Sequence, residues 1–246
     1  MKRVDLFGTK VDVATMDETV QKIMTRIDRQ QFTQHVVVNV AKLVNMQSDE
    51  ALAAAVSGCD IINIDGMGVV WGARALGYRI PERIAGIDLF DRLLSAAASR
   101  RYPVFFLGAT EAVLASAVEQ CRARYRSLEI AGSHHGYFWG NERDVADVIR
   151  RSGARLLFVA ITSPKKERFI NDWGRELGVD FVMGVGGTFD VVAGKVRRAP
   201  LWMQRCGLEW FFRVLQEPRR MWKRYLITNS AFLFMVGKAW ISPRRS

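Results

Sequence analysis

The chain has 246 residues, of which 49% are apolar and 25% charged. That suffices for one α/β domain with a sizeable core and excludes disorder over most of the length. Cys59, Cys121 and Cys206 are far apart and form no C-x-x-C pair, so reduced thiols are expected rather than disulfides or a cysteine-built zinc site. The net charge of +11 is unevenly placed: residues 1–196 hold 25 basic and 23 acidic residues, whereas residues 197–246 hold 11 basic residues and only Glu209 and Glu217.

Residues 1–13 alternate charged and apolar side chains and predict a strand pair, without the unbroken apolar core of a secretory signal. Residues 17–29 predict a helix with Val20, Ile23, Met24 and Ile27 on one face. The β-branched run 35–39 predicts a buried strand, residues 41–56 a helix, and residues 60–64 a second strand ending at Asp65-Gly66-Met67-Gly68. A helix follows, and another is expected over 87–99. Further strands are expected over 104–107, 128–131, 156–161 and 181–185. Between them lie helices over 111–126, 141–151 with Asn141 as cap, and from Pro164 to about residue 177. This alternation predicts a Rossmann-like, doubly wound, mainly parallel sheet over residues 1–196.

The rhythm stops near Lys195–Pro200. Residues 197–246 read as a helical, basic and aromatic appendage carrying Trp202, Trp210, Trp222 and Trp240, four of the seven tryptophans. Its most apolar stretch, 226–241, falls short of the ~20 residues that span a bilayer and contains Asn229 and Lys238. Tryptophan interleaved with arginine suits an anionic membrane surface. It also suits single-stranded nucleic acid, or a helix whose aromatics pack on the core. The apolar run 231–236 favours the membrane reading.

In open α/β sheets ligands bind at the carboxyl ends of the strands. The polar residues there are Asn39, Asp65-Gly66, Gly108-Ala109-Thr110, the loop from Ser163 to Glu167, and Gly184–Asp190. Asp65 fits a helix cap or a partly desolvated general base equally well. The segment from Gly108 to Thr110 offers backbone N–H groups and a helix dipole to a diphosphate, or a tight turn with Thr110 as cap. His35, His134 and His135 have no metal-ligand spacing, and no G-x-S-x-G elbow occurs.

Longer motifs add a family. Val37-Val-Asn39, Asn63–Val70, Arg83–Asp88, Phe106–Gly108, His135–Phe138, Ser163–Glu167, Gly184–Asp190 and Ala193–Pro200 occur in order, followed by Gly207–Trp210 and Glu217–Arg220. In these stretches the chain resembles the WecG/TagA/CpsF family, glycosyltransferase family 26, over essentially its whole length. The resemblance implies an inverting hexosyltransferase that moves a sugar from a UDP-sugar to a saccharide on polyprenyl diphosphate. Such enzymes serve exopolysaccharide, capsule, common-antigen or teichoic-acid synthesis at the cytoplasmic membrane surface, and no metal or other cofactor is expected. It marks Asp65 as general base, with Asn39 orienting the acceptor. Arg83, Asp88, Gly108, Ala109, Thr110, Gly136, Tyr137, Pro164, Lys166, Glu167, Gly186, Gly187, Phe189 and Asp190 are the candidate donor and acceptor contacts. Arg198, Arg205, Arg213, Arg219, Arg220 and Arg224 are candidates for the membrane or the leaving group. The chain departs from the family pattern at Val37, where many members have threonine, and at Lys166, where many have glutamine. On this reading Lys166 faces the cleft and meets a donor phosphate or an acidic sugar.

Two other classes make different demands on the sequence. A nicotinamide-dependent oxidoreductase would need a glycine where Trp71 stands in the Asp65–Trp71 segment. A nucleic-acid-binding protein would use the basic tail with strong salt dependence, but nucleic acid is not the expected partner. An amphipathic tail is equally able to cover a neighbouring subunit, which keeps a homo-oligomer open.

Overall fold

The computed structural model describes residues 1–241, the Arg220 side chain excepted. Residues 242–246 of the basic tail, and the side chain proposed at Arg220, lie outside the described part. In chain order the elements are β1 (Lys2–Leu6), β2 (Thr9–Val13), α1 (Met16–Asp28), β3 (Thr33–Val38), α2 (Val40–Asn45), α3 (Glu50–Ser57), β4 (Ile61–Ile64), α4 (Met67–Ala75), α5 (Gly86–Arg100) and β5 (Val104–Gly108). There follow α6 (Glu111–Arg124), β6 (Ile130–His134), α7 (Glu142–Arg151), β7 (Leu156–Ala160), α8 (Lys165–Trp173), β8 (Phe181–Gly184), α9 (Thr188–Val192), α10 (Leu201–Arg205), α11 (Glu209–Gln216) and α12 (Pro218–Ile241).

The expected parallel sheet is present, with six strands in the order β4-β3-β8-β7-β5-β6 and every pairing parallel. Its strands are apolar on both sides because helices cover both faces. Val104 and Phe106 of β5 join Leu156 and Phe158 of β7 in one core, with α1, α5 and α6. Phe105, Leu107, Leu157 and Val159 point the other way, into a core with α7 and α8. The β1–β2 hairpin forms a separate antiparallel sheet. It caps the β4 edge through Asp12, whose Oδ2 accepts the Ile62 N–H at 2.8 Å.

Three expected boundaries move. The helix expected over 41–56 breaks in two, because the Asp49 side chain accepts the Leu52 N–H at 2.9 Å and restarts the helix. The helix from Pro164 ends at Trp173, capped by Gly174, a residue that disfavours helix interiors. The strand expected over 128–131 is Ile130–His134 instead. It is an edge strand whose Gly132 lies on the Phe105 ring, where an added Cβ would fall 2.6 Å from a ring carbon. Its glycine and polar residues hide it from an apolar pattern.

The tail helix α12 is seated on the α/β body. Phe232 is buried beside the hairpin and α4, with Phe7 edge-on at 5.6 Å between ring centroids. Gly72 of α4 leaves room for it, since a Cβ there would lie 2.8 Å from Phe232 Cζ. Phe232→Ala is therefore expected to cost about 3–5 kcal/mol. Urea unfolding is expected to give a lower midpoint with an unchanged slope.

Candidate active site

Asp65 follows β4 at the carboxyl edge of the sheet. Its N–H continues the ladder to Val38 O at 2.8 Å. The chain then turns through Gly66, whose φ of 113° is open to glycine and strained for other residues. Gly66, not Asp65, is the cap residue of α4, so the capping role is not the one Asp65 fills. Its Oδ2 accepts the Gly86 N–H of the α5 first turn at 3.3 Å. Apolar atoms crowd the same spot: a Cβ built on Gly86 would lie 3.5 Å from Val37 Cγ2, 3.8 Å from Met183 Cε and 3.8 Å from Asp65 Oδ2. Burial raises the Asp65 carboxyl above the ordinary aspartate value; Arg83, the Gly86 N–H and Arg213 pull it down, and Glu209 pushes it up.

Asn39 ends β3, the strand beside β4. Its Oδ1 accepts the Lys42 N–H at 3.0 Å and caps α2, which leaves the amide NH2 as its donor group. A Cβ on Gly66 would sit 3.8 Å from Asn39 Cβ, so the two strand ends converge. Next along the row, Gly186 and Gly187 follow β8, and a Cβ on either would meet nothing within 4 Å. That is open floor for a ligand.

The sheet reverses its winding between β5 and β7, because α6 and α8 leave toward opposite faces. Such a switch point is where ligands settle. Here the backbone is tightly crossed: a Cβ on Gly108 (φ 125°) would lie 2.3 Å from Ala160 O. The N–H of Ala109 donates to Ala160 O at 3.0 Å, and that of Gly136 donates to Ala109 O at 2.9 Å. The expectation of free N–H groups from Gly108 to Thr110 is thus corrected at Ala109. Thr110 caps α6 through the Val113 N–H at 3.4 Å, which leaves the N–H groups of Glu111 and Ala112 and the dipole of α6 for an anion. Four strand spacings of about 4.8 Å place this helix end roughly 19 Å from the β4 end. A cavity of about 270 Å³ lies one strand farther, lined by His134, His135, Tyr137, Phe138, Asn141 and Asp144.

Comparison with known proteins fits this geometry. The model of the "Glycosyl transferase WecG/TagA/CpsF family" matches residues 4–246. The chain belongs to this family. Over 173 residues it is 40% identical to an N-acetylglucosaminyldiphosphoundecaprenol N-acetyl-beta-D-mannosaminyltransferase of Bacillus spizizenii. Over 170 residues it is 38% identical to the protein of that name from Bacillus subtilis. These matches cover 70% and 69% of the chain and 66% of each relative's length. The dinucleotide reading loses support on topology: Asp65–Trp71 follows an edge strand, away from the switch point that holds a pyrophosphate.

The family stretches converge unequally. Asp65, Asn39, Gly186 and Gly187 line the carboxyl edge, and the exposed Tyr137 stands beside the β6 cavity. Asp190 pairs with Lys195 at 3.5 Å. Phe189 is fully buried against Phe90 and Phe106 and works as core. Lys166 and Glu167 are buried as well, so the cleft-facing role expected of Lys166 is not where the structure puts it. The Lys166 stem crosses Gly184, where a Cβ would lie 2.4 Å from its Cδ. Its Nζ and that of Lys42 both meet Glu167 Oε1, at 2.7 and 2.8 Å. Pro164 precedes this turn, and Lys165 faces outward over the Trp139 ring at 4.7 Å.

Glu209, absent from the sequence-derived candidates, organises the tail side. Arg83 Nη1 donates to Glu209 Oε2 at 2.7 Å. Arg198 grips Asp88 with both Nη atoms, at 2.5 and 2.7 Å, while its Nε lies 3.6 Å from Glu209 Oε1. Arg213 is one turn farther along α11. Arg205, Arg219 and Arg224 are exposed among the bare aromatics Trp202, Phe211, Trp222 and Phe234. The scarcity of acid in the tail and the family stretch Gly207–Trp210, which contains Glu209, were the sequence signals that could have found it. Among the described residues, no group of three or more His, Cys, Asp or Glu is placed to hold a metal ion.

The buried lysine pair makes a prediction of its own. Burial alone would raise Glu167, but Lys42 and Lys166 hold it at about 2, below its ordinary 4.5. A depressed carboxyl stabilises the fold fully above the ordinary value and loses that contribution as pH falls from 4.5 toward about 2. Glu167→Gln, which strands two buried lysines, is expected to cost about 3–5 kcal/mol at neutral pH. Unfolding curves at pH 7 and pH 3 are expected to show that loss shrinking in acid.

Proposed function

We propose that this protein is an inverting glycosyltransferase that carries a sugar from a UDP-sugar to a polyprenyl-diphosphate-linked saccharide during cell-surface polymer synthesis. The observation that carries the reading is Asp65, a half-buried carboxylate at the carboxyl edge of the sheet that accepts the Gly86 N–H, with its proton affinity raised by burial. The names of the two Bacillus relatives favour N-acetylmannosamine as the transferred sugar and N-acetylglucosamine on undecaprenyl diphosphate as the acceptor.

In this reading the acceptor hydroxyl lies over β3 and β4, oriented by the Asn39 amide. Its oxygen attacks the anomeric carbon from the side opposite the diphosphate. The carbon–phosphate-oxygen bond breaks, its electron pair leaves with UDP, and the hydroxyl proton passes to Asp65. The diphosphate is bonded to the reacting carbon and so departs on the Asp65 side of the row, where the charge of Arg213 meets it; the first turn of α6, roughly 19 Å away, is too far to hold it. Arg83 is committed to Glu209 and is not assigned to the donor. No helix among the described residues is long and apolar enough to cross a membrane. The exposed tryptophans and arginines of α10–α12 suit peripheral binding to the cytoplasmic face of an anionic membrane, which brings the lipid-linked acceptor to the cleft.

The test uses purified protein, anionic liposomes, a panel of UDP-sugars and a short-chain polyprenyl-diphosphate N-acetylglucosamine acceptor, with UDP release and product mass as readouts. Acceptor-dependent release with one donor is expected. Asp65→Asn is expected to lose roughly 10²–10⁴-fold in rate. The same substitution is expected to raise the melting temperature. A carboxyl whose folded value is raised makes its ionised form destabilising at neutral pH, and asparagine removes that charge. Undiminished turnover in Asp65→Asn would overturn the base assignment.

A further inference from the structure

We propose that Glu209 is a positioning residue for the general base: arriving on α11, it takes the Arg83 guanidinium for itself and leaves Asp65 a proton acceptor rather than half of an ion pair. The proposal rests on reading Asp65 as that base.

Arg83 is held in the neighbourhood of the base because its segment is tied to β4, with the Ile84 N–H donating to Ile64 O at 2.8 Å, and its charge is the largest influence lowering the Asp65 carboxyl. An arginine beside a carboxylate in a poorly solvated site pulls the acid down by about one to three units, which makes a poor base. Glu209 prevents that pairing. Its Oε2 accepts from Arg83 Nη1 at 2.7 Å, and the two side chains are only 19% and 13% exposed. The remaining charges around the pair are Arg198, which lies 3.6 Å from Glu209 Oε1 and neutralises Asp88, and the exposed Arg213 of the same helix, whose charge has the smallest lowering effect on Asp65. With Arg83 matched, burial dominates at Asp65, and Glu209 adds to its effect.

A second tie leads from the tail to the base. Arg198 holds Asp88 on the first turn of α5, and the Gly86 N–H of that turn is the hydrogen-bond donor to Asp65 Oδ2. The docked tail therefore fixes both the cation and the amide that face the carboxylate. Glu209 touches neither reacting atom in this arrangement and acts through Arg83.

The test follows Asp65 directly. Full-length protein labelled with carboxyl-13C aspartate is titrated by NMR, with the Asp65 signal assigned by its loss in Asp65→Asn. The pH dependence of kcat/KM is measured in parallel with UDP-N-acetylmannosamine and the short-chain acceptor. In Glu209→Gln the Asp65 titration and the acid limb of kcat/KM are expected to fall together by about one unit or more, with roughly a tenfold loss in kcat. Glu209→Asp is expected to restore both. The double variant Arg83→Gln/Glu209→Gln, which leaves no buried unpaired arginine, is expected to titrate close to wild type. An Asp65 titration unmoved in folded Glu209→Gln, or still lowered in the double variant, overturns the proposal. Full activity in Asp65→Asn would instead remove the base reading, while the NMR titration would still decide whether Glu209 governs Asp65.

Discussion

The proposed site depends on partly burying one ionisable carboxylate without letting a nearby cation neutralise it. Burial raises Asp65, but burial beside an unmatched arginine would have the opposite result. The fold resolves this by charge pairing at one remove. Arg83 is matched by Glu209, Asp88 is matched by Arg198, and Asp65 receives one backbone N–H at 3.3 Å. Val37 contributes on the other side: a valine methyl lies where many family members carry a hydroxyl, and it solvates no charge.

The parallel sheet explains why such an arrangement can form. Both faces are covered, so strand interiors are apolar and polar chemistry is confined to the carboxyl ends. Those ends form a row: Asp65 and Asn39 at one edge, the open glycines after β8 in the middle, and the α6 terminus at the β5–β7 switch point. A nucleotide-sugar whose sugar reacts near the carboxylate keeps its diphosphate at that same end of the row, because the two are directly bonded, and the α6 terminus lies roughly 19 Å away. The row also separates charges by purpose. The Lys42–Glu167–Lys166 cluster is sealed behind Gly184, where it ties α2 to α8 and offers no cation to a ligand.

The parts legible from sequence were those with local signals. Continuous β-branched and aromatic runs mark strands buried on two faces, so β3, β4, β5, β7 and β8 were found within a few residues. The edge strand β6 carries Gly132, Ser133 and His134 and gave no such run. Asp65 stands out at a strand end, but the sequence leaves helix cap and general base equally open, and the structure removes only the capping role by placing Gly66 at the cap. Lys166 was misplaced because the first turn of a helix points successive residues in different directions, and a sequence does not say which faces in; Lys165 turned outward to Trp139. The Arg83–Glu209 contact joins residues 126 positions apart, and no local pattern encodes it.

The tail has two faces with different physics. Phe232 and Met221 are buried, while Trp222, Leu233, Phe234 and Trp240 on the same helix are exposed. A helix anchored inward along one side and bare along the other is held in place before it meets any partner. Between that anchor and the segment leaving the α/β body lies α11, tethered at its far end by Gln216, whose Nε2 donates to Arg197 O at 3.1 Å. Glu209 is at the near end of this short helix. The same helix carries the carboxylate that pairs with Arg83. The exposed aromatics of α12 and the Glu209 that pairs with Arg83 therefore lie on one chain segment, with Glu217 alone between α11 and α12.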